Sequence, residues 1–79
     1  MSILPLASLP VGREATVRYV SPDAPSYRRI LDLGLVGGTK VKVIRSSPFG
    51  DPRAYLVRGA VVALRREDAQ AIMVEVTDE

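Results

Sequence analysis

The 79-residue chain has no cysteine and no histidine. Without cysteine there is neither a disulfide nor a thiolate metal site. Without histidine the commonest metal ligand, and the commonest general base near neutral pH, are gone. Aromatic residues are scarce: Tyr19, Tyr27, Phe49 and Tyr55 are all there are. The core must therefore be aliphatic. A surplus of one charge sign is also lacking, since 11 Lys and Arg face 9 Asp and Glu, for a net +2. That is too mild to imply nucleic acid by itself. No apolar run approaches the ~20 residues of a membrane span. The N-terminus has neither the charged region nor the apolar core of a secretory signal. A cytoplasmic location is the resulting expectation.

What is present is a short chain rich in aliphatics. Residues 1–79 make one domain with one small core, and domains of this size often lean on a staple or a partner. No staple is available, and 47% of the residues are hydrophobic. Some apolar surface should therefore stay exposed, which points to a partner.

Residues 26–43, SYRRILDLGLVGGTKVKV, organise the rest. Tyr27, Ile30 and Leu31 fall at helical spacing on one face, with Arg28, Arg29 and Asp32 on the other. Gly34 is placed to end that helix in a left-handed conformation, with Leu35 packing back on Ile30. Gly37 and Gly38 turn the chain, and residues 39–44 alternate Lys40 and Lys42 with Val41 and Val43 as a strand.

Upstream, Pro5 and Pro10 forbid a continuous helix in residues 1–13, which read as an extended lead-in. Leu4, Leu6 and Leu9 are available there to cover a sheet edge. The first strand is read at Glu14–Val20, with Ala15, Val17 and Tyr19 on its buried face. Pro25 suits the first helical position, with Asp23 as a candidate cap. Downstream, residues 46–52, SSPFGDP, form a loop carrying Phe49. Residues 54–57 and 60–65 are short strands joined at Arg58-Gly59, where Gly59 supplies the positive φ of a tight hairpin. Apolar residues on both faces of 60–65 suggest a central strand. Residues 66–69 make one helical turn at most, residues 72–76 the last strand, and residues 77–79 are expected to fray. Five short strands with one helix inserted after the first predict a mainly β fold. Sheet closure would remove exposed edges, so a small SH3-like β-barrel is the natural architecture.

Four segments, in order and spacing, carry a family resemblance: LPLASLPVGREATV, RRILDLGLVGGTKVKV, SPFGDPRAY and VRGAVVALRREDAQAIMV. Over residues 4–76 the chain resembles the FeoA family, small cytoplasmic proteins of bacterial ferrous iron uptake. The resemblance implies an SH3-like barrel with a helical insertion. It also implies association with FeoB, the membrane iron transporter bearing a GTPase domain. A similar domain closes DtxR-type repressors, but their winged-helix DNA-binding part is absent from this sequence.

No carboxylate forms a motif with a nucleophile or base, and Gly34, Gly37 and Gly38 precede a strand, where a phosphate loop would precede a helix. The chain is expected not to be an enzyme and to need no cofactor. Selective ferrous sites usually recruit imidazole or thiolate, so no metal ligand is assigned, the best adjacent carboxylates being Glu67 and Asp68. Arg28, Arg29, Lys40, Lys42 and Arg45 would form the patch of a nucleic-acid-binding barrel, the alternative function, but no aromatic is interleaved as a stacking platform requires. For protein binding, Arg28 and Arg29 with Leu33, Leu35 and Val36 make an apolar patch rimmed with charge, and Phe49 is a rival anchor. Gly34, Gly37, Gly38 and Gly59 are read as structural turns. Weak self-association through an unpaired strand edge is a third expectation.

Overall fold

A computed structural model of the chain describes residues 2–76, so residues 77–79, expected to fray, lie outside the described residues. The elements follow in the order β1 (Ser2–Pro5), β2 (Glu14–Val20), α1 (Tyr27–Asp32), β3 (Lys40–Ser46), β4 (Arg53–Val57), β5 (Ala60–Leu64), α2 (Arg66–Gln70) and β6 (Ile72–Val76), with a 3-10 turn at Leu6–Ser8 after β1. All strands join one antiparallel sheet in the order β1-β6-β2-β3-β4-β5.

The strand beyond the expected five is β1. It pairs with β6 from Ser2 opposite Val76 to Pro5 opposite Met73. Its proline lacks a donor, and an edge strand is where a sheet tolerates that. The opposite edge is β5, which corrects the reading of this segment as a central strand. Its inner face meets the core through Leu64, while Val61 on its outer face is 59% exposed.

A β-bulge between Val17 and Tyr19 changes a second expectation. The extra residue exchanges the two faces of β2. Ala15 and Val17 are buried as the alternation predicts, but beyond the bulge Val20 is buried and Tyr19 faces outward. The core gathers Val17, Val43, Tyr55, Leu64, Ile72 and Val74 from the strands with Ile30 and Leu35 from the helix region.

Gly34 ends α1 as the sequence suggests, at φ +97°. Leu35 N–H donates to Ile30 O at 3.3 Å and Gly34 N–H to Leu31 O at 2.9 Å. This is the paired closing pattern of a Schellman cap, which satisfies two carbonyls left over at the helix end. Leu35 and Ile30 are both fully buried. The helix starts at Tyr27 rather than Pro25, and Ser26 occupies the cap position without a side-chain cap bond. Ser26 leaves the helix start without its side-chain cap because its hydroxyl is used elsewhere.

The sheet wraps on itself without closing into a continuous ladder. In a flat sheet four strand spacings of about 4.8 Å would hold β1 and β4 roughly 19 Å apart. Instead Arg53, at the start of β4, donates to the carbonyls of Leu9 at 2.8 Å, Leu6 at 3.0 Å and Ala7 at 3.3 Å, just past β1. The guanidinium bridges a gap that no strand pairing fills among the described residues.

Candidate partner interface

Two surfaces carry the residues relevant to recognition, the surroundings of α1 and the outer face of β3, β4 and β5. The first surrounds α1. Its N-terminal side is held to α2 by Asp68, which is largely buried. The Ser26 hydroxyl donates to Asp68 Oδ1, and the Arg29 guanidinium stands 3.6 Å from Asp68 Oδ2. Asp51 in the β3–β4 loop accepts the Arg66 backbone N–H at 2.9 Å and so caps α2 from outside its own segment. At the other end of α1, the Arg58 side chain passes the bare Cα of Gly34, where an added Cβ would lie 3.6 Å from Arg58 Cδ. The Arg58 guanidinium donates to Thr39 Oγ1 at 3.3 Å.

Among the residues expected to bind a partner, Arg28 and Arg29 are exposed, and Leu33 and Val36 are half-buried. Leu35 is fully buried, so it is a core residue and leaves the patch. Its place after the helix-ending glycine turns it inward. Phe49 is 96% exposed. It lies in the loop before Arg53, whereas Gly34 abuts Val57 and Arg58. The β4 strand therefore holds the Phe49 loop and the helix-end patch at its opposite ends. Gly34, Gly38 and Gly59 have positive φ as expected of turn glycines, while Gly37 does not. Gly37 is needed for space: a Cβ there would sit 3.0 Å from the Arg18 carbonyl oxygen.

The second surface is the outer face of β3, β4 and β5. Lys42, Leu56 and Val61 lie side by side across the three strands, and Arg45, Ala54 and Ala63 form the next row. Leu56 is 37% exposed and Val61 more so. A depression of about 180 Å³ lies over Ala54 and Ala63, bordered by Arg45 and Pro52. Reading 60–65 as central hid this face. Periodicity placed Val61 and Ala63 on one side, but only the strand order shows that nothing covers them.

Charge is segregated along the same segment. Between positions 33 and 66 stand Lys40, Lys42, Arg45, Arg53, Arg58, Arg65 and Arg66, with Asp51 as the lone acid. Among the described residues the ion pairs are Arg18 with Glu75 at 2.7 Å and Arg29 with Asp68. Neither engages a cation of β3, β4 or β5. Glu14 lies across from Lys42 on the β2 side. Of the five cations expected to form one basic patch, Arg28 and Arg29 lie on α1 and Lys40, Lys42 and Arg45 on β3. Among the described residues, no three carboxylates gather where they would hold a metal ion, and no helix is long and apolar enough to cross a membrane.

Comparison with known proteins gives this geometry a context. The FeoA domain model matches residues 4–76. The chain is 37% identical over 70 residues to a Porphyromonas gingivalis Fe(2+) transport protein A/Fe(2+) transporter FeoB fusion protein, covering 89% of this chain and 8% of that one. The solution structure of a FeoA-like protein from Clostridium acetobutylicum superposes with a TM-score of 0.91 at 32% identity, over 100% of this chain and 92% of that one. A crystal structure of Stenotrophomonas maltophilia FeoA complexed with zinc, described as a procaryotic SH3 domain protein, matches with a TM-score of 0.81 at 29% identity, over 91% of this chain and 89% of that one. The wrapped six-stranded sheet is therefore SH3-like, and with its helix inserted after β2 and the family match over nearly its whole length, this chain belongs to the FeoA family.

Proposed function

We propose that this chain is a non-enzymatic accessory domain of ferrous iron uptake that docks on the cytoplasmic, GTPase-bearing part of a FeoB-type transporter. The observation that carries the reading is the P. gingivalis relative, in which an Fe(2+) transport protein A and an FeoB transporter are parts of one chain. Fusion raises the effective concentration of one part beside the other, and it is productive only where the two engage or act together. The exposed apolar residues of this small domain suit the same reading.

The chain spans 8% of that fusion protein, so it stands for the accessory part alone. Its role is to bind, since its residues supply neither a nucleophile with its base nor a phosphate-binding loop. Titration calorimetry of the purified chain against the soluble cytoplasmic part of its cognate transporter tests the reading. Saturable binding at one site per transporter domain is expected. Affinity weaker than about 1 mM, with both components folded, would overturn it.

A further inference from the structure

We infer that the free edge of β5 takes up an extended segment of the transporter as an added strand, apolar in its middle and acidic at its ends. The inference rests on the proposed association with that transporter and specifies where and how it occurs.

The backbone makes the edge available. The two-residue Arg58-Gly59 turn has φ +52° and +81°, the left-handed pair of a type I′ hairpin. In such a hairpin the flanking Val57 and Ala60 form the first hydrogen-bonded pair, and bonded and non-bonded pairs then alternate. Val62 and Leu64 thus bond back to β4, and the N–H and C=O groups of Val61 and Ala63 point to the open side. No turn or loop hydrogen bond among the described residues uses them. The two edges of the sheet differ in protection. β1 has four residues and ends in Pro5, whereas β5 reads Ala-Val-Val-Ala-Leu, with no charge and no proline. Edge strands are normally blunted by such devices.

The side chains specify the occupant. Val61 and Ala63 point outward on the face where Leu56 is also exposed. An added strand that places apolar side chains beside them extends the row Leu56–Val61, and a large side chain reaches the depression over Ala63 and Ala54. Arg65 follows β5 and Arg58 precedes it, the Arg58 guanidinium turned toward Thr39 but exposed, so positive charge stands at both ends of the strand. Lys42 and Arg45 add positive potential across the same face. A second copy of this chain is a poor occupant. Antiparallel β5–β5 pairing of Val61 with Ala63 would bring Arg58 of one copy beside Arg65 and Arg66 of the other, and like charges disfavour the pairing. Carboxylates flanking a short apolar strand match both features.

Amide hydrogen exchange of the wild-type chain, with and without the soluble cytoplasmic part of the transporter, tests the inference directly. The Val61 and Ala63 amides are expected to slow at least about tenfold on binding, as in other strand additions. Val61→Pro removes an outward donor and no β4–β5 bond, so it should keep the fold and weaken binding at least about tenfold. Arg65→Glu should weaken binding at low salt more than at high salt. If the chain binds while both amides exchange as in the free chain, or while protection is confined to α1 and residues 34–38, strand addition is wrong and the association stands. If the wild-type chain does not bind at all, both fall. Should Val61→Pro unfold, the exchange measurement on the wild-type chain decides alone.

Discussion

Arg53 reaches from the first residue of β4 to the carbonyl oxygen of Leu9, 2.8 Å away, across the gap between the two ends of the wrapped sheet. The same guanidinium serves Leu6 and Ala7, and its carbon lies 5.3 Å from the centre of the Tyr55 ring. A planar group with five donors meets several carbonyls at once, which an ammonium cannot do in this geometry. Replacing Arg53 by Leu should cost about 2–4 kcal/mol, since charge-assisted bonds to half-buried carbonyls contribute about 1.5–3 kcal/mol each and are not additive. Arg53→Lys should recover less than half of that loss. Urea unfolding of the three proteins checks the order.

Asp68 should prove more important than its ion pair. Arg29 is 62% exposed at its side chain, so Arg29→Ala should cost under about 1 kcal/mol. Asp68→Ala also removes the acceptor of the Ser26 hydroxyl and should cost about 1–3 kcal/mol. A double-mutant cycle of Ser26→Ala with Asp68→Ala, read by chemical unfolding, should show coupling. Additive losses would mean that the α1–α2 link contributes little.

Gly34→Ala and Gly37→Ala should destabilise for different reasons. At Gly34 a Cβ has only ordinary contacts, but φ is +97°, and the left-handed conformation costs an L-residue about 1–2 kcal/mol. At Gly37 the conformation is not left-handed, and the obstacle is the Arg18 carbonyl at 3.0 Å. Gly34→Asn should therefore lose less than Gly34→Ala, because asparagine tolerates that region better, whereas Gly37→Asn should lose at least as much as Gly37→Ala. Thermal melts of the four variants distinguish conformation from crowding.

Leu35 and Phe49 mark the extremes of burial. Leu35→Ala should cost about 2–5 kcal/mol, the range for emptying a core leucine site. Phe49→Ser should change stability by less than about 0.5 kcal/mol, as expected for a surface position without partners in the core. A melting temperature unchanged by Leu35→Ala would contradict its place in the core cluster.

Local features of the fold were legible in the sequence where the signal is local. The stop at Gly34, the inward turn of Leu35, the Arg58-Gly59 hairpin and the limits of β2 follow from spacing and from what glycine permits. The helix after the first long strand, and the family resemblance of the segments around it, agree with the match over residues 4–76. β1 escaped because a proline-containing segment of four residues has no period long enough to read. Tyr19 was placed on the wrong face because a single bulge reverses the alternation of β2, and nothing in the sequence around Arg18 marks it. On the candidate interface, the exposure of Arg28, Arg29 and Phe49 agrees with their polarity or loop position, but the cover over Leu35 and the lack of cover over Val61 do not show in a one-dimensional pattern.

Composition and spacing determined the class of molecule: a core without thiol or imidazole chemistry and aliphatic but for the buried Tyr55, turns set by glycine, and a segment whose charges are nearly all positive. These are properties of residues and their near neighbours, so they survive without coordinates. The tertiary structure alone decided which strands are edges, because strand order depends on pairings between residues far apart in the chain. It decided that a guanidinium spans the gap in the sheet, and that the apolar outer side of β5 is open to an occupant. An apolar residue is equally content beneath its own chain or beneath another, and only the packed arrangement shows which of the two covers it.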